Sequence, residues 1–261
     1  MHGTLRPLTL AKRCGIYRER SAPASLAGHV ECLWSHTMPE GPPSPMAVVP
    51  DGCVDIIWLS RGLAVAGPDR VAAFPVIGPG ETVVGLRFRA GIAASWLRTP
   101  LCELTGTVVP LDAFWGAAAD ELHARMTEAG SAAARAAMLA HAVEKRLAAV
   151  AAPPADIAAC LAELRQRQPM SDNPIRLLAQ TTGTSERTLR RRCHEHFGYG
   201  AKTLDRILRL QRFLATCRSD VEASLSALAL DTGYADQAHL TRETRELTSL
   251  SPREIRRQLA N

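Results

Sequence analysis

Four arginines, Arg187, Arg190, Arg191 and Arg192, fall within two helical turns of the segment SERTLRRRCHEHFG, Ser185 to Gly198. A guanidinium fork pairs in a bidentate manner with phosphate, or with the O6 and N7 edge of guanine. A charged run is equally the solvated face of an ordinary helix, so the surrounding sequence must decide between the two. A second group lies in PDGCVDIIW. Cys53, Asp55 and Ile57 alternate onto one face of an expected strand, with Val54, Ile56 and Trp58 on the other. Cys53, Asp55 and Trp58 mark a candidate effector pocket, and Cys53 alone is a candidate reactive or alkyl-accepting thiol. The plainer reading is a small buried residue beside a turn-stabilising acid. The HEH triplet, His194 to His196, cannot chelate locally, because residues i and i+2 of a helix point to different faces. In the β-rich region His29 and His36 stand apart and no His-x-His occurs, so no strand-borne metal site is expected. No glycine-rich phosphate loop, G-x-S-x-G or zinc-finger spacing appears. The expectation is no catalytic residue, no metal and no cofactor: not an enzyme.

The elements that must carry these residues divide the chain by texture. Up to about Leu111, short apolar runs rich in Val and Ile sit between Gly and Pro turn signals, as in AVVPDGCVDIIWLS, LAVAGPD and ETVVGLRFRAG. These predict a mostly antiparallel β region, followed by a helix in IAASWLRTPLCEL that Pro100 interrupts. From Asp112 the texture is helical, in LDAFWGAAADELHARM and SAAARAAMLAHAVEKRLAAV. Pro153 and Pro154 in AAPPA break it and set a domain boundary. The predicted units are 1–152, β-rich with a helical end, and 155–261, all helical. Helices are expected at Asp156–Arg167, Pro174–Thr181, from Ser185, Ala201–Cys217, Ser224–Thr232, Asp236–Leu247 and Pro252–Leu259. The fold class is α+β in two domains.

Charge follows the same division. The net charge is +5, and +4 of it falls in 155–261, where 17 Lys and Arg face 13 Asp and Glu. Seven cysteines at scattered positions, with no C-x-x-C pair, argue for a reducing compartment. No signal peptide and no bilayer-spanning stretch is apparent. A soluble, cytoplasmic protein without membrane partners is expected.

A repeat of about fifty residues then sets the function. LAQTTGTSERTLRRRCHEHFG aligns with LALDTGYADQAHLTRETRELTS, matching Ala179 to Ala229 and Gly183 to Gly233. After one extra residue in the second turn, Ser185 matches Asp236, Leu189 matches Leu240 and Arg191 matches Arg242. Each copy holds a small residue for close helix crossing, a Gly to end the first helix, a Ser or Asp to cap the second, and a Leu anchor. This is a helix-turn-helix, whose second helix enters the DNA major groove. On a helical wheel Leu189, Cys193 and Phe197 point inward, while Arg187, Arg190, Arg191 and His194 point outward and Arg192 lies off that face. In the second copy Leu240, Thr244 and Leu247 point inward and Ala238, Arg242 and Arg245 outward. Gln237, His239 and Thr241 lie beside that stripe. Arg suits guanine, Gln adenine, and Ala or Thr methyls thymine. The helix from Ala201 is long enough to connect two reading heads, with Leu204, Ile207, Leu208 and Gln211 expected to pack against both.

At these residues the chain resembles the AraC/XylS-type transcriptional regulators. SLSALALDTGYADQAHLTRETRELTSLSPREI resembles the family's second helix-turn-helix signature, and TSERTLRRRCHEHFGYGAKTLDRILRLQRFL its first recognition helix and connector. The resemblance spans Asp156 to Leu259. It implies a sequence-specific DNA-binding regulator that reads two adjacent major grooves. The base readers it implies are Arg187, Arg190 and Arg191 in the first head, and Gln237, Ala238, His239 and Arg242 in the second, with His194 and Thr241 alongside. Its implied partners are double-stranded DNA, RNA polymerase if it activates, a small-molecule effector and a second copy of the chain. The sequence departs from the family pattern at Cys193 and Thr244, where a buried aromatic is usual, and at Ser249, where Gly is usual. Phe197 and Phe213 are expected to compensate in the first head. VECLWS, VVPDGCVDIIW, VAGPD and VGLRFRAGIAASWL resemble a β-rich sensor domain, which in the broader family is often a cupin-like barrel. The alternative function is a DNA-tethered enzyme or thiol sensor acting through Cys53.

Overall fold

The computed structural model describes residues 8–41, 45–166, 174–220 and 222–260. Strands β2 (Ile16–Ser21), β3 (Val30–Thr37), β5 (Val54–Leu59), β6 (Gly62–Ala66), β7 (Thr82–Phe88) and β8 (Val108–Pro110) form one antiparallel sheet in the order β2-β3-β7-β5-β6-β8. Two short strands, β1 (Thr9–Leu10) and β4 (Met46–Ala47), pair in parallel beside it. The antiparallel expectation holds. The sheet is open, however, with β2 and β8 as its two edges, so the barrel form is not completed by strand pairing.

Alternation along the strands gives the sheet two unlike faces. Leu33, Val54, Ile56, Trp58, Val84 and Leu86 form the buried face. It is covered by α1 (Ala93–Leu97), α3 (Ala117–Glu128) and α4 (Ala132–Glu144); a single turn of helix, α2 (Asp112–Trp115), precedes α3. The opposite face carries Trp34, Asp55, Ile57 and Arg87. There the indole of Trp34 lies flat over its cross-strand partner Gly85. A Cβ at Gly85 would fall 2.1 Å from that ring, so the residue is glycine for close approach.

The C-terminal helices are α5 (Ala155–Gln166), α6 (Pro174–Thr181), α7 (Glu186–Phe197), α8 (Ala201–Ser219), α9 (Leu225–Thr232), α10 (Gln237–Thr248) and α11 (Pro252–Leu259). They match the expected helices closely, except that α8 extends to Ser219; Arg167, the expected end of the α5 segment, lies outside the described residues. The local signals explain the match. Ser185, Ser224, Asp236 and Ser251 each accept a backbone N–H three residues on. Gly183 and Gly233 take φ of +65° and +100° after α6 and α9.

The 19 residues of α8 span about 28 Å. Leu204, Ile207 and Leu208 join a core with α5, α6 and α7, while Leu210, Phe213, Leu214 and Cys217 join one with α9, α10 and α11. One helix therefore anchors both heads. Two expectations are corrected here. Gln211 faces the β domain, where its Nε2 donates to Pro50 O at 2.7 Å. Phe213 packs in the second head rather than the first.

The β domain also grips the heads. Thr105 Oγ1 donates to Gly198 O at the end of α7 (3.0 Å), and Ala72 N donates to Leu247 O near the end of α10 (2.7 Å). Gln258 of α11 exchanges two bonds with Leu8 and Leu10. Ala90 and Cys53 share an apolar cluster with Tyr199, Leu204 and Phe197.

Candidate nucleic-acid interface and effector cleft

The first candidate face is α7. Leu189, Cys193 and Phe197 are fully buried, which turns Arg187, Arg190, Arg191 and His194 to solvent. Arg190 pairs with Glu186 at 3.2 Å and Arg191 with Glu195 at 3.0 Å. Exposed i,i+4 pairs of this kind contribute only about 0.3–0.5 kcal/mol, so both guanidiniums are available to a stronger anion. Arg192 is bound across the fold instead. It reaches Asp156 of α5 at 2.5 Å, on a carboxylate only 7% exposed, and so holds the recognition helix in place. His196 is buried beside Gly91, and burial lowers its pKa.

The second face is α10. Ala238, Arg242 and Arg245 are exposed, and with Gln237 and Thr241 they line a shallow open hollow. Gln237 accepts from Ser226 Oγ (2.9 Å), and Thr241 Oγ1 donates to Gln237 O (2.8 Å). His239 is placed differently from its neighbours. Its Nδ1 accepts from Ala235 N (3.3 Å), its ring stands edge-on to Tyr234 with centroids 5.3 Å apart, and Nε2 lies 3.6 Å from Glu243. It braces the turn between α9 and α10.

Glu243 ties this helix to the connector. It is 5% exposed and accepts from Arg206 Nε at 2.9 Å and Arg209 Nε at 3.0 Å. Sequence reasoning missed it. Its signal is an acid on the inward side of a recognition helix, facing two arginines three apart on α8.

The positions that depart from the usual pattern are filled locally. Cys193 and Cys160 of α5 share a core, where the Cys160 thiol donates to the Cys193 sulfur. In the second head Tyr234, 1% exposed, takes up volume beside Thr244, with Phe213 in the same cluster. Ser249 adopts φ of 61° as the C-cap of α10, a conformation that disfavours any residue with a Cβ.

Of the three effector-pocket residues, only Cys53 lines a cleft. That cleft lies between the outer face of the sheet and α8. Asp55 sits beneath it, accepting from Arg87 Nε and Nη2 (both 3.1 Å) and from Trp34 Nε1 (3.2 Å). Trp58 is on the opposite face, in the core under the Arg135 guanidinium at 4.2 Å; strand alternation separates it from the other two. Burial, and after it the Asp51 carboxylate, push the Cys53 thiol well above its ordinary pKa. Arg87 and Asp51, which pair at 3.1 Å, were not singled out from the sequence. Arg87 was legible as a charge on the alternating run VVGLRF. Burial, then Asp51 and Asp55, push Asp69 up to about 6. Among the described residues no cluster of His, Cys, Asp and Glu could hold a metal, and no helix is long and apolar enough to cross a membrane.

The chain combines an open β domain with paired helix-turn-helix units on one connector. Residues 178–258 match the family described as Helix-turn-helix domain, and residues 18–110 match the Domain of unknown function (DUF6597). The chain thus carries an AraC-type helix-turn-helix domain behind an N-terminal β-rich domain. No curated protein matches it. Among solved structures, an apo variant of ToxT from Vibrio cholerae strain SCE256 is similar with a TM-score of 0.50 and 9% identity, covering 92% of this chain and 100% of that one. ToxT from Vibrio cholerae O395 gives 0.49 and 10%, covering 88% and 98%. Wild-type ToxT of strain SCE256 bound to an unsaturated fatty acid gives 0.47 and 10%, covering 92% and 98%. At 9% identity the first of these likenesses is one of fold alone.

Proposed function

We propose that the chain is a sequence-specific transcription regulator that reads two adjacent major grooves with α7 and α10. The observation that carries this reading is the repetition of one geometry. Capped helices at matching positions each bury a Leu and turn a cationic face outward, on opposite ends of a single connector. In this reading Arg187, Arg190 and Arg191 contact bases from the first head, and Gln237, Ala238 and Arg242 from the second. His194 and Thr241 flank them, and Arg245 takes a phosphate. His239 serves by bracing α10. The sensor unit is 1–152 and the DNA-binding unit 155–261.

The test is binding to a selected genomic site, with footprinting, across a salt series. Arg191→Ala and Arg242→Ala should each lose about 1–3 kcal/mol on the specific site, and affinity should fall steeply with salt. Unchanged affinity and footprint in both variants would overturn the reading. The enzyme or thiol-sensor alternative is the weaker reading, because the half-buried Cys53 thiol is held protonated by burial and by Asp51, and a protonated thiol is a poor nucleophile.

A further inference from the structure

A cleft of about 650 Å³ lies over β2, β3 and β7, with α5 and α8 on its far side. Its charges do not balance. Each carboxylate on its wall already has a cation: Glu19 holds Lys12 at 2.6 Å, Asp51 holds Arg87 at 3.1 Å, and Glu31 holds Arg89 at 2.8 Å. Among the described residues, three guanidiniums on the same wall have no carboxylate in contact. Arg20 Nη2 reaches only Ala133 O at 3.4 Å, and Arg212 Nη1 only Leu164 O at 3.2 Å. Arg165 has no hydrogen-bond or ion-pair partner among the described residues. Burial lowers the pKa of Arg212, and the more distant Asp205 carboxylate offsets this only in part.

We infer that this cleft binds a small organic anion bearing carboxylate or phosphate groups, clasped by Arg20 from the sheet and by Arg165 and Arg212 from α5 and α8. Guanidinium forks suit these oxyanions, which accept two parallel hydrogen bonds from each. The aliphatic side chains on the wall are Leu208 and Ala215, too little apolar surface for a long acyl chain. The clasp joins the two domains, because α8 carries both reading heads and β2 belongs to the sensor sheet. This inference rests on the regulator reading for its purpose, though not for its chemistry.

The experiment is thermal unfolding and calorimetric titration of the full chain with citrate and with inorganic pyrophosphate, against sodium chloride at matched ionic strength and against oleate. A saturable rise in Tm is expected with both polyanions, about 3–5 °C at tenfold excess over Kd. Arg165→Gln, an exposed change that breaks no contact among the described residues, should weaken binding about tenfold, and Arg165→Gln with Arg212→Gln should remove it. General salt stabilisation would survive both changes. The inference is overturned if neither polyanion binds saturably, if the double variant binds as well as the parent, or if oleate alone binds. DNA affinity of the same preparations separates the two readings. Anion binding without DNA binding sinks the regulator alone, and DNA binding without anion binding sinks the clasp alone.

Discussion

Glu243 offers the sharpest test of how the second head is held. Its buried carboxylate meets Arg206 at 2.9 Å and Arg209 at 3.0 Å, the latter on a side chain 12% exposed. Removing one partner of a buried pair usually costs about 3–5 kcal/mol, since the other charge stays desolvated. Here the loss is cushioned. Arg206 keeps Glu246 at 2.5 Å and Arg209 keeps Asp205 at 3.7 Å, which brings the expected cost of Glu243→Ala to about 2–3 kcal/mol. For a chain of this size that is a Tm lower by roughly 5–10 °C. Glu243→Gln keeps the shape and one acceptor, and should recover about half. Because Glu243 points at the connector and not at the exposed face proposed to meet DNA, footprinting separates its role from plain stability. At a temperature where both variants are folded, protection under α10 should weaken about five- to tenfold while protection under α7 persists. If Glu243→Ala unfolds within about 0.5 kcal/mol of the parent and leaves the footprint intact, the clamp does not position the helix.

Other changes test separate parts of the structure. Ser249→Gly should raise stability by about 1 kcal/mol in denaturant melts, because it relieves the left-handed cap at φ 61°. Gly85→Ala should lower it by about 2–4 kcal/mol, through displacement of the Trp34 ring, and Trp34→Leu in the same chain should restore part of the loss. Asp69 has a folded pKa of about 6, above its unfolded value. Its charge therefore disfavours the fold above pH 6, and stability should rise as pH falls from 7 toward 4. Asp69→Asn should stabilise at pH 7, by about 1–2 kcal/mol after allowance for its partial exposure, and make little difference at pH 4. An equal gain at both values would exclude this account.

The helical half was legible because its signals are local. Ser185 and Asp236 cap, Gly183 and Gly233 turn, and Leu189 and Leu240 anchor, all within a few residues of one another. The repeat then checked one copy against the other. The strands were legible as elements, but whether β2 and β8 would meet was not, because closure depends on sheet curvature summed over six strands. Side-chain partners far apart in sequence were harder still. Arg192 looked spare until Asp156, 36 residues away, was seen against it. Tyr234 replaced a missing aromatic from the neighbouring turn, which a position-by-position reading of α10 cannot show. Trp58 was grouped with Cys53 by proximity in sequence, although the strand's own alternation places them on opposite faces.

The apolar cluster that joins Ala90 and Cys53 to Tyr199, Leu204 and Phe197 limits how freely such a protein can be recombined. A helical module cut away at Ala155 would carry an uncovered hydrophobic patch, with the backs of α7 and α8 newly wetted. Grafted onto a foreign sensor, it would have to find a matching patch or associate through its own. The two domains are therefore expected to melt together and to diverge as a pair, each restricting the substitutions the other can accept.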